Sequence, residues 1–131
     1  MAEVVYTGPL IDKLGVKPGA RVAVINIDDQ EFRRVLADRT HDITEGDPLA
    51  ETDIVFLGID DGSGLRQLGF LRQWIVPNGA IWVVSRKGKA ATVRDIEVMA
   101  AAKAVGLVDN KVVSFSAERT SIRLVIPVAL R

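Results

Sequence analysis

Two loops carry the residue types best suited to binding chemistry. Asp60-Asp61-Gly62-Ser63-Gly64 follows an apolar run and opens a helical pattern. Its glycines leave backbone N–H groups accessible, and a helix N-terminus favours an anion. Asp60 and Asp61 oppose that anion, and the plain alternative is a strand-to-helix turn with Ser63 as its N-cap. Arg86-Lys87-Gly88-Lys89 follows the next apolar run, directly after Ser85. Its cations suit a phosphate or carboxylate through charge-assisted hydrogen bonds, and its plain alternative is a solvated basic loop. If these runs are neighbouring parallel strands, both loops and the segment from Asn26 to Asp28 share one edge of the sheet. Open α/β sheets bind ligands at that edge. The expected ligand-binding set is Asn26, Asp28, Asp60, Gly62, Ser63, Gly64, Ser85, Arg86, Lys87 and Lys89.

Other chemistries find less support. His41 with Asp42, Glu45 and Asp47 reads as a polar connection, and a lone histidine with scattered carboxylates implies no metal site. Ser85 lacks the glycine-flanked elbow of a serine hydrolase. The chain has no cysteine, so thiolate chemistry and disulfides are excluded, in keeping with a cytoplasmic location. No set of residues completes a catalytic constellation, so catalytic residues and cofactor stay unassigned.

The 131 residues suit one domain. Hydrophobic residues at 48% and charged residues at 26% are ordinary for a folded globule. Lysine plus arginine total 17, as do aspartate plus glutamate, which argues against a general nucleic-acid or membrane-surface binder. Met1 to Tyr6 lacks the pattern of a signal peptide, and no apolar run approaches the ~20 residues of a membrane span.

The elements that must position the loops follow from the apolar spacing. Thr7 as N-cap and Pro9 in the first turn open a short helix with Leu10, Ile11 and Leu14, ended by Gly15. Arg21 to Ile27, Asp53 to Ile59 and Ala80 to Ser85 are nearly continuous apolar runs, as expected of strands buried on both faces. Asp28 is placed to cap a helix over 29–38 whose inner face is Phe32, Val35 and Leu36. A short strand is expected around Ile43. Leu68, Leu71 and Ile75 predict a helix over 65–76, followed by a turn at Pro77-Asn78-Gly79. Thr92 is the expected cap of a helix reaching Val105. Trp74, Trp82 and Met99 read as core or near-core packing. Lys111 to Ala117 and Ser121 to Val128 predict an antiparallel hairpin about the turn Glu118 to Thr120. Its apolar edge stretch Val112 to Ser116 invites pairing with a second copy, so a homo-oligomer is expected. The predicted fold class is α/β: a three-layer αβα Rossmann-like sheet, mostly parallel, with a C-terminal antiparallel hairpin.

VKPGARVAVIN (Val16 to Asn26) resembles the opening of a class I methyltransferase. TDIVFLG (Thr52 to Gly58), WIVPNGAIWVV (Trp74 to Val84) and the final hairpin fall where that fold has its central and C-terminal strands. A closer resemblance is to a small uncharacterised bacterial family without an established activity. It rests on TGPLIDKLGVKPG (Thr7 to Gly19), GAIWVVSRKG (Gly79 to Gly88) and GLVDNKVVSFS (Gly106 to Ser116). The chain departs from that family at its final turn, which reads Glu118-Arg119-Thr120-Ser121 where a tryptophan is frequent.

The methyltransferase resemblance implies glycines after the first strand, which let the backbone approach the methionine part of S-adenosylmethionine. It also implies an acidic residue at the end of the second strand for the ribose. Here that first loop reads Asn26-Ile27-Asp28-Asp29-Gln30-Glu31, and no glycine stands between Gly19 and Gly46. The expected function is therefore a methyltransferase-like domain without catalysis, binding a small anionic ligand or a protein partner. The alternative is an S-adenosylmethionine-dependent methyltransferase with a divergent cofactor loop.

Overall fold

The computed structural model describes residues 9–131. Strands β1 (Val22–Ile25), β2 (Ile43–Glu45), β3 (Thr52–Gly58), β4 (Ile75–Arg86), β5 (Val108–Ser114) and β6 (Arg119–Val125) form one sheet. Their order is β2-β1-β3-β4-β6-β5. The first four of that order run parallel, and β6 is antiparallel to both β4 and β5. Helices α1 (Leu10–Lys13), α2 (Gln30–Arg39), α3 (Leu68–Arg72) and α4 (Asp95–Ala104) make the outer layers. The architecture is thus the expected α/β one, mostly parallel with an antiparallel hairpin at its C-terminal end.

The continuous apolar runs arise because alternate residues serve two cores. Val22, Val24, Phe56, Trp82 and Val84 pack with Leu14, Phe32 and Leu36 of the α1/α2 layer. Ala23, Val55, Leu57, Ile81 and Val83 pack instead with Leu68, Leu71, Val98 and Ala102 of the α3/α4 layer. Phe32 ties the first layer together, lying 5.0 Å from Phe56 on β3 and 4.8 Å from Phe115 just beyond β5, centroid to centroid. The fully buried Trp82 donates its indole N–H to the Leu14 carbonyl at 3.1 Å, which satisfies the one polar atom it carries into the core. Trp74 is only half-buried, and Met99 is half-buried on α4.

Several local expectations differ from the structure. The cap of α2 is Asp29, not Asp28; its carboxylate accepts from the Phe32 N–H at 3.0 Å. The span 65–76 is not one helix: a 3-10 turn over Gly62–Gln67 leads into α3, and Ile75 begins β4. Leu68, Leu71 and Ile75 do share one core, but Ile75 reaches it from the strand. Pro77-Asn78-Gly79 is an irregularity within β4, because Thr52 pairs with Ile75 while Ile54 pairs with Ala80. Pro77, lacking an N–H, sits where the ladder needs no donor. A Cβ on Gly79 would stand 2.8 Å from the Asp53 carbonyl, so the chain returns to the ladder there as glycine. Thr92 does not cap α4, whose N-cap is Arg94; no side chain there accepts from the first-turn N–H groups, and the Arg94 guanidinium pairs instead with Glu97. The expected cap at Thr7 lies outside the described residues.

The hairpin strands begin and end earlier than expected. Val112 enters the α3/α4 core, while Val113 and Phe115 enter the other, so the apolar side chains of this stretch are covered. Asp109 pairs with Leu124 and Lys111 with Arg123, which makes Asn110 an extra residue in a β-bulge.

Candidate ligand-binding crevice

Because β1, β3 and β4 are parallel, their carboxyl ends share one edge of the sheet. At the end of β1 the chain turns without glycine. Asn26 itself takes the left-handed conformation, with φ 55°, which asparagine tolerates better than most residues. Its side-chain amide donates to the Gly58 carbonyl at 3.0 Å and to the Asp60 carboxylate at 3.3 Å. The backbones approach so closely that a Cβ on Gly58 would lie 2.1 Å from the Asn26 carbonyl oxygen. Ile27 then turns inward and is buried.

An open crevice of about 770 Å³ lies on the β2 side of this turn, lined by Asn26, Asp28, Arg33 and Glu45 among others. Arg33, one turn into α2, donates to the Ile27 carbonyl from Nε at 3.2 Å and from Nη2 at 2.9 Å. Its Nη1 pairs with Glu45 at the end of β2. The guanidinium thereby bridges the first loop to the second strand end. Sequence reasoning missed Arg33. The available signal was a cation one turn inside the helix that follows the first strand.

The Asp60–Gly64 loop is held by its own side chains. Asp61, rather than Ser63, is the N-cap. Its carboxylate accepts from the Ser63 hydroxyl at 2.5 Å and from the Ser63 N–H at 2.9 Å. Those two bonds, the hydroxyl first, hold its pKa below the ordinary carboxylate value. Gly62 and Ser63 are exposed. Gly64 is required by packing, since a Cβ there would meet the Ile59 side chain at 2.5 Å. Asp60 is exposed, and its carbonyl accepts from the Thr92 hydroxyl at 2.5 Å. That bond ties this loop to the segment following the basic loop.

At the end of β4, Ser85 is buried opposite Thr120 of β6, and Arg86 stands opposite Arg119. Lys87 donates from Nζ to the Ser114 hydroxyl at 2.5 Å, and from its backbone to the Glu118 carbonyl at 3.0 Å. Lys89 is exposed in a 3-10 turn over Gly88–Ala90. A second cleft, of about 520 Å³, is lined by Arg86, Lys87, Gly88, Arg94, Asp95 and Thr120 among others. The candidate residues therefore divide. Asn26 and Asp60 touch, Asn26 and Asp28 line the first crevice, and Arg86 and Lys87 line the second. Gly62, Ser63 and Gly64 form the turn that follows β3.

The polar stretch around His41 is also accounted for. Asp42 pairs with Arg21 at 3.0 Å and Glu45 with Arg33, leaving His41 exposed. Among the described residues no cluster of three metal-ligating side chains occurs.

This mostly parallel sheet with its antiparallel end defines a class I methyltransferase-like fold. A protein of Sulfolobus solfataricus described as a type 11 methyltransferase superposes with a TM-score of 0.64 at 8% identity, over 89% of each chain. A protein of Thermoplasma acidophilum described as a methyltransferase gives 0.58 at 8% identity, over 97% of this chain and 78% of its own. The O-methyltransferase NcsB1, solved with S-adenosyl-L-homocysteine, gives 0.55 at 15% identity over 79% of this chain, which spans 41% of NcsB1. At these identities the likeness shows the fold alone. The chain belongs to the family described as "Protein of unknown function (DUF3052)", whose model matches residues 11–128. No curated protein matches the sequence.

The residues present do not fit S-adenosylmethionine in the manner the resemblance implies. The acidic residue at the end of the second strand is present as Glu45, but Arg33 neutralises it. The loop after β1 carries side chains in place of glycines, and the same guanidinium caps its Ile27 carbonyl.

Proposed function

We propose that this chain is a methyltransferase-like domain without catalysis, which binds a small anionic ligand or a protein partner at the carboxyl edge of β3 and β4. The reading rests on one observation above all. Arg33 spans from the Ile27 carbonyl to Glu45, and so occupies both the loop after β1 and the acidic end of β2, the two places the resemblance implies for the cofactor. What the edge offers instead is positive charge. Arg86, Lys87 and Arg94 line the second cleft against one carboxylate, Asp95, while Lys89 sits on the adjoining turn and Arg119 opposite Arg86 on β6. An oxyanion there gains charge-assisted hydrogen bonds.

The test is a thermal-shift titration with phosphate and small carboxylates at constant ionic strength. A saturating anion at ~100 times its dissociation constant should add about 2.7 kcal/mol of stability. The rise in Tm is expected to shrink in Lys87→Ala and Lys89→Ala. An anion response identical in both variants would refute the site.

A second reading, an active transferase with a divergent loop, is favoured by the left-handed Asn26 and by the position of Glu45. It requires Arg33 to release Glu45 when the cofactor binds.

The finer expectation of self-association rests on β5, the outer strand of the sheet. Exposed Val108 on this strand lies near a groove also lined by exposed Ile96 of α4. We propose that two copies pair along this edge.

A further inference from the structure

The opposite edge of the sheet holds a cleft of about 550 Å³ between the amino ends of β1, β3 and β4 and the carboxyl end of β6. Lys17, Asp53, Asn78 and Arg123 line it, with the backbone of Gly15 and Gly19 at φ 74° and 79°. Arg123 projects on the α1/α2 side of β6, beside Trp82 of β4 and opposite Lys111 of β5. It is half-buried. Burial, and then the charge of Arg131, lowers its pKa from the ordinary arginine value. Lys111 is lowered likewise, by burial and then by Arg123.

No carboxylate among the described residues pairs with the Arg123 guanidinium, and none of them accepts a hydrogen bond from it. Asp53 lines the same cleft, but one of its oxygens already accepts from the Arg21 N–H at 2.9 Å. Lys111 donates to the Lys13 carbonyl at 2.6 Å, which directs its ammonium toward α1. A half-buried guanidinium with no paired carboxylate is unfavourable unless something supplies the counter-charge. A guanidinium facing a cleft offers an oxyanion two parallel N–H bonds, with Lys17 as a second charge on the rim.

We propose that this cleft is a binding site for a small ligand bearing a phosphate or carboxylate group, held by Arg123 and Lys17, and distinct from the crevice at the other end of the sheet. The cleft exceeds the volume of a bare phosphate, which leaves room for an organic portion against Asn78 and Asp53. The reading is independent of the function proposed above, since the two sites lie at opposite strand ends and share no residue.

The experiment is a titration of the full chain with inorganic phosphate and, separately, acetate, followed by the amide resonances of a ¹⁵N-labelled sample. The expected result is a saturable movement of the Gly15, Gly19 and Gly79 amides, weakened at least about tenfold in Arg123→Met and more mildly in Lys17→Gln. A stronger response to phosphate than to acetate assigns a phosphorylated ligand, and the reverse assigns a carboxylate. Absence of movement at these amides at about 50 mM of either anion would overturn the proposal, as would equal affinity in Arg123→Met. If Arg123→Met does not fold, equal affinity in Lys17→Gln overturns it instead.

Discussion

Asn26 and Gly58 make a matched pair. Asn26 supplies the left-handed turn, its carbonyl comes to rest over the Cα of Gly58, and its side chain bonds the Gly58 carbonyl. Gly58→Ala must push these backbones apart, so a loss of about 1–3 kcal/mol is expected in chemical denaturation. An unchanged midpoint would show that the approach is looser than described. The left-handed turn was hidden in the sequence because glycine is its usual signal, and asparagine is the other residue that accepts this conformation readily. Arg33 was hidden for a different reason. Its role depends on β2 lying beside β1, and no local pattern reports a contact between a helix and the end of a strand twelve residues on. Ser85 reads as the last residue of its strand; the ladder runs one residue further, to Arg86 opposite Arg119, and Ser85 is buried opposite Thr120.

At the scale of elements, the strands buried on both faces were the most legible part. A short, unbroken apolar run between helical segments is what a parallel strand with a helix layer on each face requires. Boundaries were less legible. Leu68, Leu71 and Ile75 fit a helical period, and all reach one core, but period alone cannot tell a helix from a short helix followed by a strand. The irregularity at Pro77 to Gly79 has the composition of a turn and is absorbed within β4 because its partners on β3 resume three residues out of step. The hairpin was legible from its alternation, whereas the bulge at Asn110 carried no signal. That bulge twists the outer strand and limits how much of it can pair. If β5 is the contact between copies, Val108→Lys should shift the chain from dimer to monomer in analytical ultracentrifugation. A parent protein that sediments as a 14.2 kDa monomer at all concentrations would exclude that contact.

Over the whole molecule, balanced charge conceals a local separation. Cations gather at the carboxyl end of β4 and the amino end of β6 and again in the Arg123 cleft, while Asp28, Asp60 and Asp61 crowd the loops after β1 and β3. The fold is that of class I methyltransferases, but the fold does not carry the activity, and function has to be argued from the site. Among the described residues no helix is long and apolar enough to cross a membrane. With Arg33 holding Glu45 and the Ile27 carbonyl, the crevice beside β1 is expected not to take the methyltransferase cofactor. Isothermal titration of the intact chain with S-adenosylmethionine tests this most directly. No saturable heat is expected up to about 1 mM cofactor, equivalent to a binding free energy weaker than about −4 kcal/mol. Saturable one-to-one binding with a Kd in the micromolar range would contradict it and restore the reading as an active transferase.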